Sequence, residues 1–137
     1  MRLARRLLAL CLILGATACS SPVQRLRIQA EQLGMQTLDL DGGAYRLTSF
    51  YKASLAHAGR LHVYLEGDGQ PWLRGAWPAT EPTTRDSLML SLLAMDDAPT
   101  LYLGRPCYNG HAGDIGCESR LWTSARYGEE VVAAMSR

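Results

Sequence analysis

Several function classes are set aside by what the sequence lacks. It has no block of basic residues and no interleaving of cations with aromatics. Its 14 Lys and Arg stand against 13 Asp and Glu, a formal net charge of +1. Nucleic-acid partners need a concentrated positive surface, so that class is set aside. The apolar run Leu7 to Leu14 falls well short of the roughly 20 residues a membrane-spanning helix takes. The four cysteines lack tight metal-ligand spacing, and zinc normally takes four ligands. His111 stands between Cys107 and Cys117, but no ligand set for a metal accompanies it. No spaced oxygen donors follow Asp96-Asp97, so those carboxylates read as the polar end of a helix and not as a calcium loop. No cofactor is implied. What is there is ordinary for a globular chain of at most one domain: 137 residues, 47% hydrophobic and 20% charged.

The N-terminus stands apart from that domain. Arg2, Arg5 and Arg6 precede the apolar run, and small residues lead from Gly15 to Cys19. A basic start, a short apolar core and small residues before a cut describe a secretory signal. The run into Cys19 resembles a bacterial lipobox, with Ala16 where that pattern most often has Leu. The resemblance implies a lipoprotein signal peptide over residues 1–18, cleavage before Cys19 and lipid on its sulfur and amine. Membrane attachment then runs through the lipid, and three acyl chains are ample because one alone binds only marginally. Ser20 in place of Asp implies, by the same resemblance, an outer-membrane lipoprotein of the cell envelope facing the periplasm. Loss of Arg2, Arg5 and Arg6 takes the formal net charge from +1 to about −2.

Cys11 leaves with the signal and Cys19 takes lipid, so Cys107 and Cys117 remain. In an oxidising compartment this pair is expected to form a disulfide. Closing a loop of about ten residues contributes roughly 3 kcal/mol in the chain-entropy account.

Residues 19–35 read as a tether and a short helix. Val23, Leu26, Ala30 and Leu33 are spaced helically, and Gly34 stands where a helix ends. From Gln36 the period changes to two, Asp41-Gly42-Gly43 is a turn signal, and alternation resumes to Tyr51, which predicts a β-hairpin. Leu61, Val63 and Leu65, with Tyr64 between them, predict a strand buried on both faces. It stops abruptly at Glu66-Gly67-Asp68-Gly69, followed by Gln70-Pro71-Trp72. Open α/β sheets place ligands at such strand ends. Leu73 to Pro82 is expected to be irregular. A helix capped at Thr83 or Thr84, with Asp86 in its first turn, then runs to Met95, apolar nearly all round and so packed on most sides. Thr100 to Leu103 is a second buried strand closed by Gly104, and Ser124 to Met135 reads as a final helix. Strand, helix and strand in this order predict a crossover in a parallel sheet. The expected class is α/β: a hairpin, then strand-helix-strand-helix.

The element order, Val63-Tyr64-Leu65-Glu66-Gly67-Asp68-Gly69 and the block Gly104-Arg105-Pro106-Cys107 resemble the front half of an α/β-hydrolase, most closely the exported lipoprotein-type members. The resemblance covers residues 36–137 and implies a partial, truncated domain. It implies that the turn after Leu65 supplies a backbone donor of an oxyanion hole. By position Asp68 or Gly69 N–H is that donor, with Gly67, Gln70 and Trp72 on the binding side and Trp72 lining an acyl pocket. The implied activity is serine ester hydrolysis of a small or lipidic substrate. No Gly-x-Ser-x-Gly occurs in the sequence, so nucleophile, acid and base are expected outside it and this chain alone is expected to be inactive. None of His57, His62 and His111 follows a nucleophile in the order that fold demands. His62 reads as a packed or rim residue and His111 as a solvated one.

The rival class is a non-enzymatic, surface-anchored binding or structural lipoprotein. Tyr102, Tyr108, Trp122 and Tyr127 would form its sugar platform. A glycosidase-like pair of Glu66 and Asp68 is a third reading, weakened because such pairs usually come from different elements.

Overall fold

The computed structural model describes residues 20–55 and 59–137; the signal segment, Cys19 and His57 lie outside them. Helix α1 (Pro22–Gln32) begins where the sequence places it. Ser21 Oγ accepts from the Gln24 amide, proline opens the first turn, and Gly34 at φ +72° follows the last. The hairpin is β1 (Gln36–Asp41) and β2 (Arg46–Lys52), in register from Gln36 opposite Tyr51 to Asp41 opposite Arg46. Strand β3 (His62–Leu65), a short pair β4 (Trp72–Leu73) and β5 (Trp77–Pro78), helix α2 (Leu88–Ala94) and strand β6 (Thr100–Leu103) follow. A 3-10 turn (Ser119–Trp122) and helix α3 (Glu129–Met135) come last.

The described residues are a mixed α/β arrangement: a four-stranded sheet ordered β1-β2-β6-β3, the small β4-β5 sheet and three α-helices. Strand β6 inserts between β2, to which it is antiparallel, and β3, to which it is parallel. The strand-helix-strand unit β3-α2-β6 therefore gives neighbouring parallel strands, as the spacing predicts. Phe50 and Tyr102 are register partners with ring centroids 5.4 Å apart. They pack with Leu26 and Ala30 of α1, Leu90 and Leu93 of α2, and Met35. Burial of each large side chain contributes about 1.5–3 kcal/mol. A second cluster gathers Cys107, Tyr108, Leu121, Trp122 and Val131.

Five expectations are corrected. Among the described residues strand β3 lies at the edge of the sheet, with β6 on one side only, and Val63 and Leu65 are 48% and 55% exposed. Its apolar alternation reports side-chain type, not the number of neighbours. Helix α2 is capped by Ser87, whose Oγ accepts from the Leu90 amide, and not by Thr83 or Thr84. Thr83 is buried, where its hydroxyl accepts from the Asn109 amide. Helix α2 buries Leu90 and Leu93 but leaves Leu88, Leu92 and Met95 exposed, so it is packed on one face. The final helix starts at Glu129, after Gly128, because Ser124 to Tyr127 form turns. The stretch read as irregular holds the β4-β5 pair, closed by the Ala79 amide on the Pro71 carbonyl.

Candidate functional site

The turn from Glu66 to Gln70 leaves the carboxyl end of β3, beside the carboxyl end of the parallel β6. Glu66 ties the base of the turn to both neighbours. Its Oε2 accepts from the Ser87 hydroxyl at the α2 cap and from the Tyr102 hydroxyl of β6, and its Oε1 accepts from the Gly67 amide. Burial, then the Glu66 charge, raises the Tyr102 hydroxyl far above its ordinary pKa, so it acts as a neutral donor.

Asp68 carries the main restraint. Its Oδ1 accepts from Arg105 Nη1 at 2.6 Å and from the Tyr127 hydroxyl at 2.8 Å, and its Oδ2 accepts from Arg126 Nε at 2.9 Å. Partial burial alone would raise this carboxyl; hydrogen bonds from Tyr127 and Arg105, and the charges of Arg105 and Arg126, outweigh it and hold Asp68 below the usual carboxylate range. The Arg105 side chain is buried between the rings of Tyr108 and Tyr127, 5.3 and 5.2 Å from their centroids. Such stacking suits the weakly hydrated, planar guanidinium. Tyr108, pushed up to about 12 chiefly by burial, donates to the Asp68 carbonyl at 3.0 Å.

Gly69 is where the chain needs glycine. Its φ is +59°, and a Cβ there would lie 2.2 Å from the Pro82 carbonyl oxygen and 3.1 Å from the Thr84 nitrogen. The next amide, Gln70 N–H, donates to that same Pro82 carbonyl at 2.8 Å. Gly67 differs: no atom lies within 4 Å of where its Cβ would be. The turn is thus fixed by Glu66 at its start, Asp68 in its middle and Pro82 at its end. Among the described residues no acceptor takes the amide N–H of Asp68 or of Gly69. Two adjacent open donors on a fixed turn can receive an anionic oxygen. Gln70 and Trp72 are exposed beside it, so Trp72 stands on the surface of β4 instead of lining an enclosed pocket.

The structure thus keeps Gly67, Asp68, Gly69, Gln70 and Trp72 together and adds partners that spacing alone misses. Arg105 is legible only as part of Gly104-Arg105-Pro106-Cys107 and Tyr127 only as a candidate platform aromatic; Arg126 carries no signal. The Cys107–Cys117 disulfide is present, and its loop supplies Tyr108 to the turn and Asn109 to Thr83.

Other constellations resolve differently. Glu66 and Asp68 point their carboxylates at separate donor sets, which removes the shared site of a glycosidase pair. Tyr102, Tyr108 and Trp122 are buried and only Tyr127 is exposed, so the four aromatics do not form a platform. His111 is buried, contrary to expectation, with Nε2 2.9 Å from Thr48 Oγ1 and Nδ1 2.8 Å from Asp114 Oδ2. His62 is a rim residue, its Nδ1 2.6 Å from Asp96 Oδ2. That contact, the Ala98 amide and the Tyr64 hydroxyl hold Asp96 well below the usual range. Among the described residues no group of three or more His, Cys, Asp or Glu is placed to hold a metal, and no helix is long and apolar enough to cross a membrane. Comparison of the chain with protein-family models, with curated proteins and with solved structures finds no match in any of the three.

Proposed function

We propose that this chain is the front half of a lipid-anchored serine ester hydrolase of the α/β-hydrolase kind, held at the outer membrane through lipid on Cys19. The observation that carries the reading is the pair of open amides, Asp68 and Gly69, on a fixed turn at the carboxyl end of β3. Acyl transfer places negative charge on the carbonyl oxygen in the tetrahedral intermediate. Donors aimed at that oxygen beforehand lower the barrier by about 3 kcal/mol each. The Asp68 carboxylate does not oppose this, because Arg105 and Arg126 together outweigh its charge. Its part is to position: it locks the turn so that the amides need no reorganisation as the reaction proceeds. In this reading the serine, activated by a histidine, lies in a Gly-x-Ser-x-Gly elbow encoded after Arg137, and the substrate is a small or lipidic ester.

The test is a fluorophosphonate probe applied to the product of the full open reading frame. The expected result is one covalent adduct on a serine beyond residue 137, blocked by prior incubation with a short-chain ester. A folded product that takes no label overturns the serine mechanism and leaves a surface-anchored binding protein.

A further inference from the structure

The turn leads directly into the β4-β5 hairpin, which buries little. Trp72, Leu73 and Trp77 are 42%, 50% and 71% exposed. Its tip carries Arg74, which has no ion pair among the described residues. Two tryptophans, a leucine and an arginine crowded into one small exposed hairpin are costly in water. The same set suits a bilayer interface: indole rings settle at headgroup depth with the N–H wet and the ring in the acyl boundary. An arginine beside them meets the phosphates.

Where the hairpin sits decides what covers it. Its base closes at Pro71 and Ala79. Six residues on, Arg85 lines a cleft of about 210 Å³ with Ser20, Pro22 and Arg25. Six residues of chain span at most roughly 20 Å, so the hairpin base lies within that distance of Arg85 on the wall of the cleft that Ser20 also lines. Ser20 is the residue next to Cys19. A lipid on Cys19 brings this end of the molecule to the bilayer, along with the hairpin. Arg25, Arg74 and Arg85 are exposed, and against them stand the half-buried Glu81 and the exposed Asp86, which leaves these five side chains net positive.

We propose that the Trp72–Trp77 hairpin is a membrane-contact element that seats the lipidated chain on an anionic bilayer surface. The inference takes the lipid on Cys19 from the proposed function and is independent of the hydrolase chemistry. The third tryptophan serves as an internal control. Trp122 is buried and donates its Nε1–H to the Ala79 carbonyl at 3.0 Å.

The experiment uses the full acylated chain, its lipid verified by mass, in phosphatidylglycerol vesicles whose acyl chains carry bromine near the headgroup. Tryptophan emission of the wild type is expected to be quenched by roughly half or more, with a blue shift, as exposed indoles enter the interface. The Trp72→Phe/Trp77→Phe variant, altered only at exposed positions, keeps the Trp122 emission unquenched. Unquenched wild type overturns the proposal. Equal quenching of wild type and variant also overturns it, since the quencher then reaches Trp122. Quenching as strong in phosphatidylcholine as in phosphatidylglycerol overturns the role given to the three arginines. If the mass shows no lipid on Cys19, the attachment reading fails by itself. Quenching of the unlipidated chain added to the same vesicles then still supports the hairpin, and its absence overturns it.

Discussion

Gly69→Ala is the sharpest probe of the turn, and its control is Gly67→Ala two residues away. At Gly69 an alanine must adopt φ +59°, a conformation costing about 1–2 kcal/mol for a residue with a Cβ. The new methyl would also stand 2.2 Å from the Pro82 carbonyl oxygen, a separation real Cβ atoms do not tolerate. Backbone, not a flexible side chain, has to give way, which breaks the 2.8 Å bond from the Gln70 amide to that carbonyl at a further cost of about 1 kcal/mol. The expected loss is about 2–3 kcal/mol. At Gly67 there is open space and no left-handed backbone, so the change should stay within about 0.5 kcal/mol. Urea unfolding followed by circular dichroism reads both differences as shifts in midpoint at constant slope. Equal midpoints for the two variants would refute the claim that Pro82 clamps this turn.

Asp68→Asn removes the charge that pairs buried Arg105. Breaking a buried pair costs about 3–5 kcal/mol, and the 32% exposure of the Asp68 side chain lowers the expectation to about 2–3 kcal/mol. The folded-state pKa of Asp68 is depressed, so its contribution is complete above the unfolded value of about 4 and is lost as pH falls through the folded value. The gap between wild type and Asp68→Asn in urea should therefore be constant from about pH 7 to pH 5 and close at lower pH; a gap independent of pH would remove the ion pair as its cause. Replacing Cys107 and Cys117 together by serine should cost about 3 kcal/mol. It should also loosen the Tyr108 contact with the Asp68 carbonyl, read as faster amide exchange over residues 66–70. Unchanged exchange there would uncouple the disulfide loop from the turn.

How much was legible depends on the range over which each feature is decided. Helix α1 is decided within one turn of chain: Ser21 caps it, Pro22 opens it and Gly34 ends it. The β1-β2 hairpin is decided by period-two alternation on either side of Asp41-Gly42-Gly43, where the Gly43 amide closes onto Asp41 Oδ1. Pairing of Cys107 with Cys117 follows once Cys11 and Cys19 are assigned elsewhere. The position of the turn after β3 was readable too, because a strand that stops at Glu-Gly-Asp-Gly announces a turn wherever it is placed.

What holds that turn was not readable. Arg105 and Arg126 reach Asp68 from 37 and 58 residues away, and nothing near either arginine marks it as the partner of that carboxylate. The same limit hid the fate of β3. Leu61, Val63 and Leu65 have the composition of a buried strand, yet β6 covers only one side, and the number of neighbours is a property of the sheet. Sequence by itself determined helix α1, the β1-β2 hairpin, the disulfide pair and the place of the Glu66–Gly69 turn at the end of β3, since hydrogen bonds within a few residues and alternation of side chains decide those. Only the tertiary structure decided that β3 is an edge, that His111 is buried and that Asp68 is a brace, because burial and ion pairing across dozens of residues depend on how the elements pack.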